Sequence, residues 1–180
     1  MDFNKAKHDL LDIPSPELII SGSVNPAMYE FVVAALAHLR CRGSPDLKVI
    51  IDSTGGDVSW GLDIYDQLRL YRGKKRGEVM CRAASMAAII LQACDVRACA
   101  RHATVLIHHI SLTSVSLDEL IDDAKLKKLL EKRLRDQDRL NVILSERSGK
   151  TIEELRVRCL EDRYVTSEEA LEFGLIDEII

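Results

Sequence analysis

Apolar positions come in short bursts along this chain, each followed by a turn signal and then a longer amphipathic stretch. Residues 18–20 read as a short β-type run. Pro26 suits a first helical turn, and residues 28–39 are apolar at helical spacing, which predicts a helix. Gly43 and Pro45 break it. Residues 47–51 read as a strand running into the turn cluster at 52–57. Residues 58–71 place apolar side chains at 58, 62, 64, 65, 68 and 71, an amphipathic helix. The cadence then repeats with a basic loop at 73–77, a strand at 79–81, a small-residue apolar helix at 85–93, and strands at 96–100 and 104–107. Strand–turn–helix units in series predict parallel strands with crossover helices, an α/β fold.

Residues 117–148 depart from this cadence. Most of positions 118–139 are charged, yet Leu117, Leu120, Ile121, Leu126, Leu129, Leu130 and Leu134 keep an apolar stripe. One continuous helix of about thirty residues at ~1.5 Å each would run about 45 Å, longer than a small domain is wide. Part of it is therefore expected to project, and the stripe points to self-association. The alternative is a solvent-exposed helix laced with i,i+4 ion pairs. Gly149 stops this helix, Thr151 and Glu154 have capping-box spacing for a helix to Cys159, and a last helix over 167–173 ends at Gly174. Residues 175–180 read as a closing strand. Residues 1–16, polar and carrying Pro14 and Pro16, are expected to form a loosely held arm, leaving 17–180 as a single domain.

Composition narrows the function. The 180 residues are 47% hydrophobic and 30% charged, an ordinary globular mixture. Lys plus Arg number 25 against 29 for Asp plus Glu, so the basic excess of a nucleic-acid binder is absent. No apolar run reaches the ~18 residues of a membrane span, and no secretory signal is visible at the start. Five Cys without close pairs fit a cytoplasmic protein with reduced thiols.

Four short pieces could carry chemistry. Gly55-Gly56 permits positive φ and leaves backbone N–H groups uncovered, either as oxyanion donors or as a plain tight turn. Ser85, alone among alanines between strand and helix, stands where a nucleophile would sit; the alternative is an N-cap serine. His108, at the end of a buried strand, is a candidate general base or a solvent-facing strand end. Asp162 could orient an imidazole, although acids are common around it. Cys94, Cys99, His102, His108 and His109 lie close in sequence, but there is no C-x-x-C pair and no H-E-x-x-H, so no metal site is assigned.

Together the pieces resemble the Clp protease proteolytic subunit family (ClpP). Its pattern of Ser-Pro-Gly-Gly, Ala-Gly-x-x-Ile-Tyr-Asp, Ala-Ala-Ser-Met-Gly, Ile-His-Gln and Arg-Asp-Arg-Phe/Tyr is matched in order. Here the segments are Asp52-Ser-Thr-Gly-Gly56, Trp60-Gly-Leu-Asp-Ile-Tyr-Asp66, Ala83-Ala-Ser-Met-Ala87, Leu106-Ile-His-His109 and Glu161-Asp-Arg-Tyr164. The ending, Glu169 to Asp177, is also similar. The resemblance implies a ClpP/crotonase-like spiral of strand–helix units with a projecting handle helix over about 117–148. It implies a Ser–His–Asp triad on Ser85, His108 and Asp162, with oxyanion amides from Gly56 and Met86. Extended substrate would pair near Gly55, Val58 and Leu112. It further implies a ring-shaped homo-oligomer, a tetradecamer of two heptamers, with an AAA+ unfoldase ATPase as partner. Unfolded protein or peptide would be the substrate, and neither cofactor nor metal is needed.

Departures mark where this chain has its own character. Ser85 and His108 stand slightly closer in sequence than in the family. Residues 110–116 lack the family's Pro and Gly, Ala87 replaces a Gly, and Glu161 replaces an Arg. Two other readings follow: a catalytically silent assembly subunit, and a crotonase-type acyl-CoA enzyme, which also uses paired oxyanion amides but has no need of a triad.

Overall fold

A computed structural model describes residues 9–111 and 115–180. The β-type bursts become six strands: β1 (Glu17–Val24), β2 (Leu47–Gly56), β3 (Lys75–Ala84), β4 (Val96–Cys99), β5 (Thr104–Leu106) and β6 (Glu178–Ile179). All pair in parallel, in the order β1-β2-β3-β4-β6, with β5 beside the C-terminal end of β3. Parallel neighbours need a crossover between them. Helices α1 (Pro26–Cys41), α2 (Val58–Arg69) and α3 (Met86–Leu91) supply the first three, which is the α/β class expected.

Burial follows the pleat. In β2, Leu47, Val49, Ile51 and Ser53 are buried, and the residues between them are more open. Every residue of α3 is buried, and this short helix packs on α2 and β2. Each large apolar side chain enclosed this way contributes roughly 1.5–3 kcal/mol.

Three expectations are corrected. Strand β3 begins at Lys75, inside the stretch read as a basic loop, because the charge there is neutralised rather than solvated. Lys75 Nζ lies 3.0 Å from Asp95 Oδ2 and donates to the Gly73 carbonyl at 3.1 Å. The handle is not one helix. It consists of α4 (Leu117–Ile121) and α5 (Asp123–Ser148), with Asp122 extended between them and its carboxylate accepting the Ala124 and Lys125 N–H groups. A carboxylate that caps the next turn competes with continuation of the previous one. The part of the N-terminal arm that is described is held down: Leu11 is 2% exposed in the core, and the Glu17 N–H donates to the Leu10 carbonyl at 3.0 Å.

Helices α6 (Ile152–Leu160) and α7 (Ser167–Phe173) complete the chain, each opened by a Thr–Glu capping box. Gly174, left-handed at φ 85°, ends α7 as expected. Along the handle, Leu117, Leu120, Ile121, Leu130 and Leu134 remain exposed. Among the described residues no helix is long and apolar enough to cross a membrane.

Candidate active site

Strand β2 carries its pairing past Ile51 into the polar cluster. Ser53 donates its hydroxyl to the Gly22 carbonyl at 2.5 Å and accepts the Gly55 N–H at 3.1 Å. The chain then turns through Gly55 at φ 84° and Gly56 at φ 153°, conformations that favour glycine. Gly55 is also closely approached. A Cβ there would stand 2.6 Å from the Ala84 carbonyl oxygen and 2.7 Å from Ser85 Cβ. The double glycine therefore lies against the junction of β3 and α3.

Ser85 is that junction. Its backbone sits at φ 54° and ψ −124°, outside the regions L-residues prefer. Strain of this kind costs of order 1–3 kcal/mol and collects at functional sites. The surroundings hold it in place: the Ser85 N–H donates to the Leu106 carbonyl at 2.8 Å. Ser85 occupies the N-cap position of α3, as the alternative reading has it, but its hydroxyl makes no capping bond to the helix.

His108 follows β5. Val105 and Ile107 are buried, whereas Leu106 and His108 are half-buried, the alternation of an extended chain. Ser85, Met86, Gly56, Val58 and His108 all line one cavity of about 540 Å³. His109 is not in its lining, so the two adjacent imidazoles are distinguished by position.

Asp162 is placed differently. It is exposed, left-handed at φ 42°, and outside the cavity lining. Its location is set by an antiparallel bridge in which Val105 and Val165 exchange backbone hydrogen bonds of 3.0 and 2.8 Å. His108 lies three residues beyond Val105 and Asp162 three before Val165. On either side of Asp162, Arg158 and Arg163 bind Glu161, and these hydrogen bonds hold its carboxyl below the usual range. Arg163 continues to Glu169 at 2.9 Å, holding that carboxyl down to about 2. Among the described residues, no hydrogen bond joins the side chains of Ser85, His108 and Asp162. Leu112 lies outside the described residues.

Sequence reasoning missed the contribution of α5. Arg133, Gln137, Leu140 and Leu144 line the same cavity, and their i, i+4, i+7, i+11 spacing is one helical face. Half of that face is polar, so it was hidden behind the more obvious leucine stripe. Gln137 Oε1 accepts the Ile110 N–H at 2.8 Å, tying the handle to the segment just after His108.

A cavity lined by a serine, a histidine and the candidate amide donors Gly56 and Met86 has the group types that acyl transfer uses. In comparison with known families, the family model described as Clp protease matches residues 12–180. The match spans every strand and helix described above, and with it the ClpP-type α/β fold and a peptidase activity in general. This chain belongs to the Clp protease family.

Proposed function

We propose that the protein is a serine endopeptidase that hydrolyses peptide bonds of unfolded proteins or peptides. Ser85 attacks the scissile carbonyl, and His108 takes the hydroxyl proton and later passes it to the leaving amine. Asp162 fixes the imidazole tautomer and stabilises the imidazolium. The amides of Gly56 and Met86 meet the negative charge on the carbonyl oxygen. One such donor contributes about 3–4 kcal/mol to catalysis in a comparable setting. Substrate lies extended along Gly55 and Val58, adding a strand to the edge there; the further pairing near Leu112 is what the family resemblance implies.

The observation that carries this reading is Ser85 itself. It is strained, its hydroxyl makes no capping bond, and it lines the same cavity as His108. The exposed leucines of the handle support self-association, here into a ring-shaped homo-oligomer; a cytoplasmic location and supply by an AAA+ unfoldase are part of this reading through the family resemblance alone. Because no hydrogen bond joins the three side chains, a catalytically silent assembly subunit is the second reading. Hydrolysis of a fluorogenic peptide by the purified chain alone separates the two. Turnover that Ser85→Ala abolishes supports the peptidase, and its absence in every assembly state supports the silent subunit.

A further inference from the structure

Among the described residues, the α5 wall of the cavity carries a guanidinium with no hydrogen-bond or ion-pair partner. Arg133 lines the cavity and is half-buried. Its Nε is shielded from solvent without an acceptor, and it forms no ion pair among the described residues. Its neighbours have other partners. Gln137, one turn on, accepts the Ile110 N–H and donates to Asn141 Oδ1 at 3.0 Å. Asp136, outside the cavity lining, pairs through Oδ1 with Arg139 at 3.5 Å, while its Oδ2 is shielded without a donor. Asp57, a carboxylate in the same lining, caps α2 by accepting the Trp60 N–H at 3.0 Å. The Arg133 guanidinium is a planar fork of N–H donors with no acceptor site of its own. It shares one cavity with Ser85 and His108.

A shielded donor without an acceptor is costly, and a bound group that supplies the acceptor removes that cost. The best match to a guanidinium fork is a carboxylate. An apolar side chain leaves the donor unmet, and a cationic one is repelled. The rest of this face, Leu140 and Leu144, is buried and apolar, suited to the methylene stem of a glutamate.

We infer that this cavity selects peptides with an acidic side chain beside the scissile bond, with Arg133 as the specificity-determining residue. The inference rests on the serine-peptidase reading above and names its substrate class.

Three fluorogenic peptides, identical except for Glu, Gln or Leu at the residue donating the scissile carbonyl, test it on the purified full-length chain. The expected kcat/KM for Glu exceeds that for Gln by about 10–100-fold, the range of a charged hydrogen bond. In Arg133→Met the Glu-to-Gln ratio falls to about one, and Arg133→Glu turns the preference toward a Lys peptide. A purely structural arginine would not invert the preference with charge. Equal cleavage of the Glu and Gln peptides by the wild type overturns the inference and leaves the peptidase reading standing, whether or not the variants fold. A ratio that survives Arg133→Met overturns it too. If none of the three is cleaved and Ser85 resists a fluorophosphonate, the peptidase reading fails and this inference with it.

Discussion

Val105 and Val165 exchange two backbone hydrogen bonds, 3.0 Å in one direction and 2.8 Å in the other, although sixty residues separate them. This bridge fixes where the segment holding Asp162 meets β5, which leads to His108. His108 stands three residues after Val105 and Asp162 three before Val165, where the chain at Asp162 is left-handed at φ 42° rather than extended. If Asp162 orients the imidazole, Asp162→Asn lowers kcat by about 10⁴ through the wrong tautomer. Since Asp162 is exposed, stability should move by less than about 0.5 kcal/mol. Steady-state kinetics beside thermal denaturation checks both. Full activity in the variant would remove Asp162 from the mechanism.

Gly55 offers a test of the wall behind the serine. An alanine methyl there meets the Ala84 carbonyl oxygen at 2.6 Å, Ser85 Cβ at 2.7 Å and Met86 N at 2.8 Å. Gly43 has the same left-handed φ, 85°, but nothing within 4 Å. Gly43→Ala should therefore cost only the backbone strain, about 1–2 kcal/mol. Gly55→Ala should add about 1–3 kcal/mol of overpacking and displace Ser85, slowing peptide cleavage. Chemical denaturation of the pair, with activity measured on each, separates strain from crowding. Equal behaviour of the two variants would refute the contact.

Arg97 gives a pH prediction. It is 4% exposed, and its guanidinium donates to Asp177, Gln92 and the Gly174 carbonyl. Burial tends to raise the Asp177 carboxyl, but the side-chain and backbone hydrogen bonds from Arg97 outweigh it and hold the group below its ordinary value. A depressed folded pKa contributes stability fully present above the unfolded value, about 3.9, and lost as pH falls through the folded one. Asp177→Asn should cost about 3 kcal/mol at neutral pH, the low end for breaking a buried pair, since Asp177 is 40% exposed. The gap to wild type should narrow as pH drops below about 4. Denaturation of both proteins at neutral pH and in acid measures it; a constant gap would contradict the account.

The five cysteines divide into two sets. Burial pushes the Cys94 thiol up to about 12 and the Cys99 and Cys159 thiols to about 11, while Cys41 and Cys81 are exposed. Thiolate is the reactive form. Brief iodoacetamide treatment of the native protein should alkylate Cys41 and Cys81 alone, and all five after unfolding, as read by peptide mass spectrometry. Alkylation of native Cys94 would mean that the α3 region opens.

Most strands and helices were legible in the sequence because periodicity and punctuation agreed. Pro26, the Thr151 and Thr166 caps and Gly174 fall where their chemistry places them. What escaped depends on distant partners. Lys75 looked solvated until Asp95 and the Gly73 carbonyl neutralised it. Asp122 looked like one more charge on a long helix, although its carboxylate caps the next segment. At the site, motif spacing singled out Ser85, His108, Asp162 and the double glycine; Ser85, His108 and Gly56 line one cavity and Gly55 abuts Ser85, while Asp162 lies outside that lining. Arg133 and Gln137 were not, because helical spacing marks a shared face without saying what that face meets.

The central claim is that Ser85 is a nucleophile activated by His108, and a fluorophosphonate probe followed by peptide mass spectrometry reads it directly. The account predicts a single covalent adduct on Ser85, absent in Ser85→Ala and formed far more slowly in His108→Ala. A protein that stays unmodified in its assembled form, or an adduct on another residue that persists in Ser85→Ala, would contradict it.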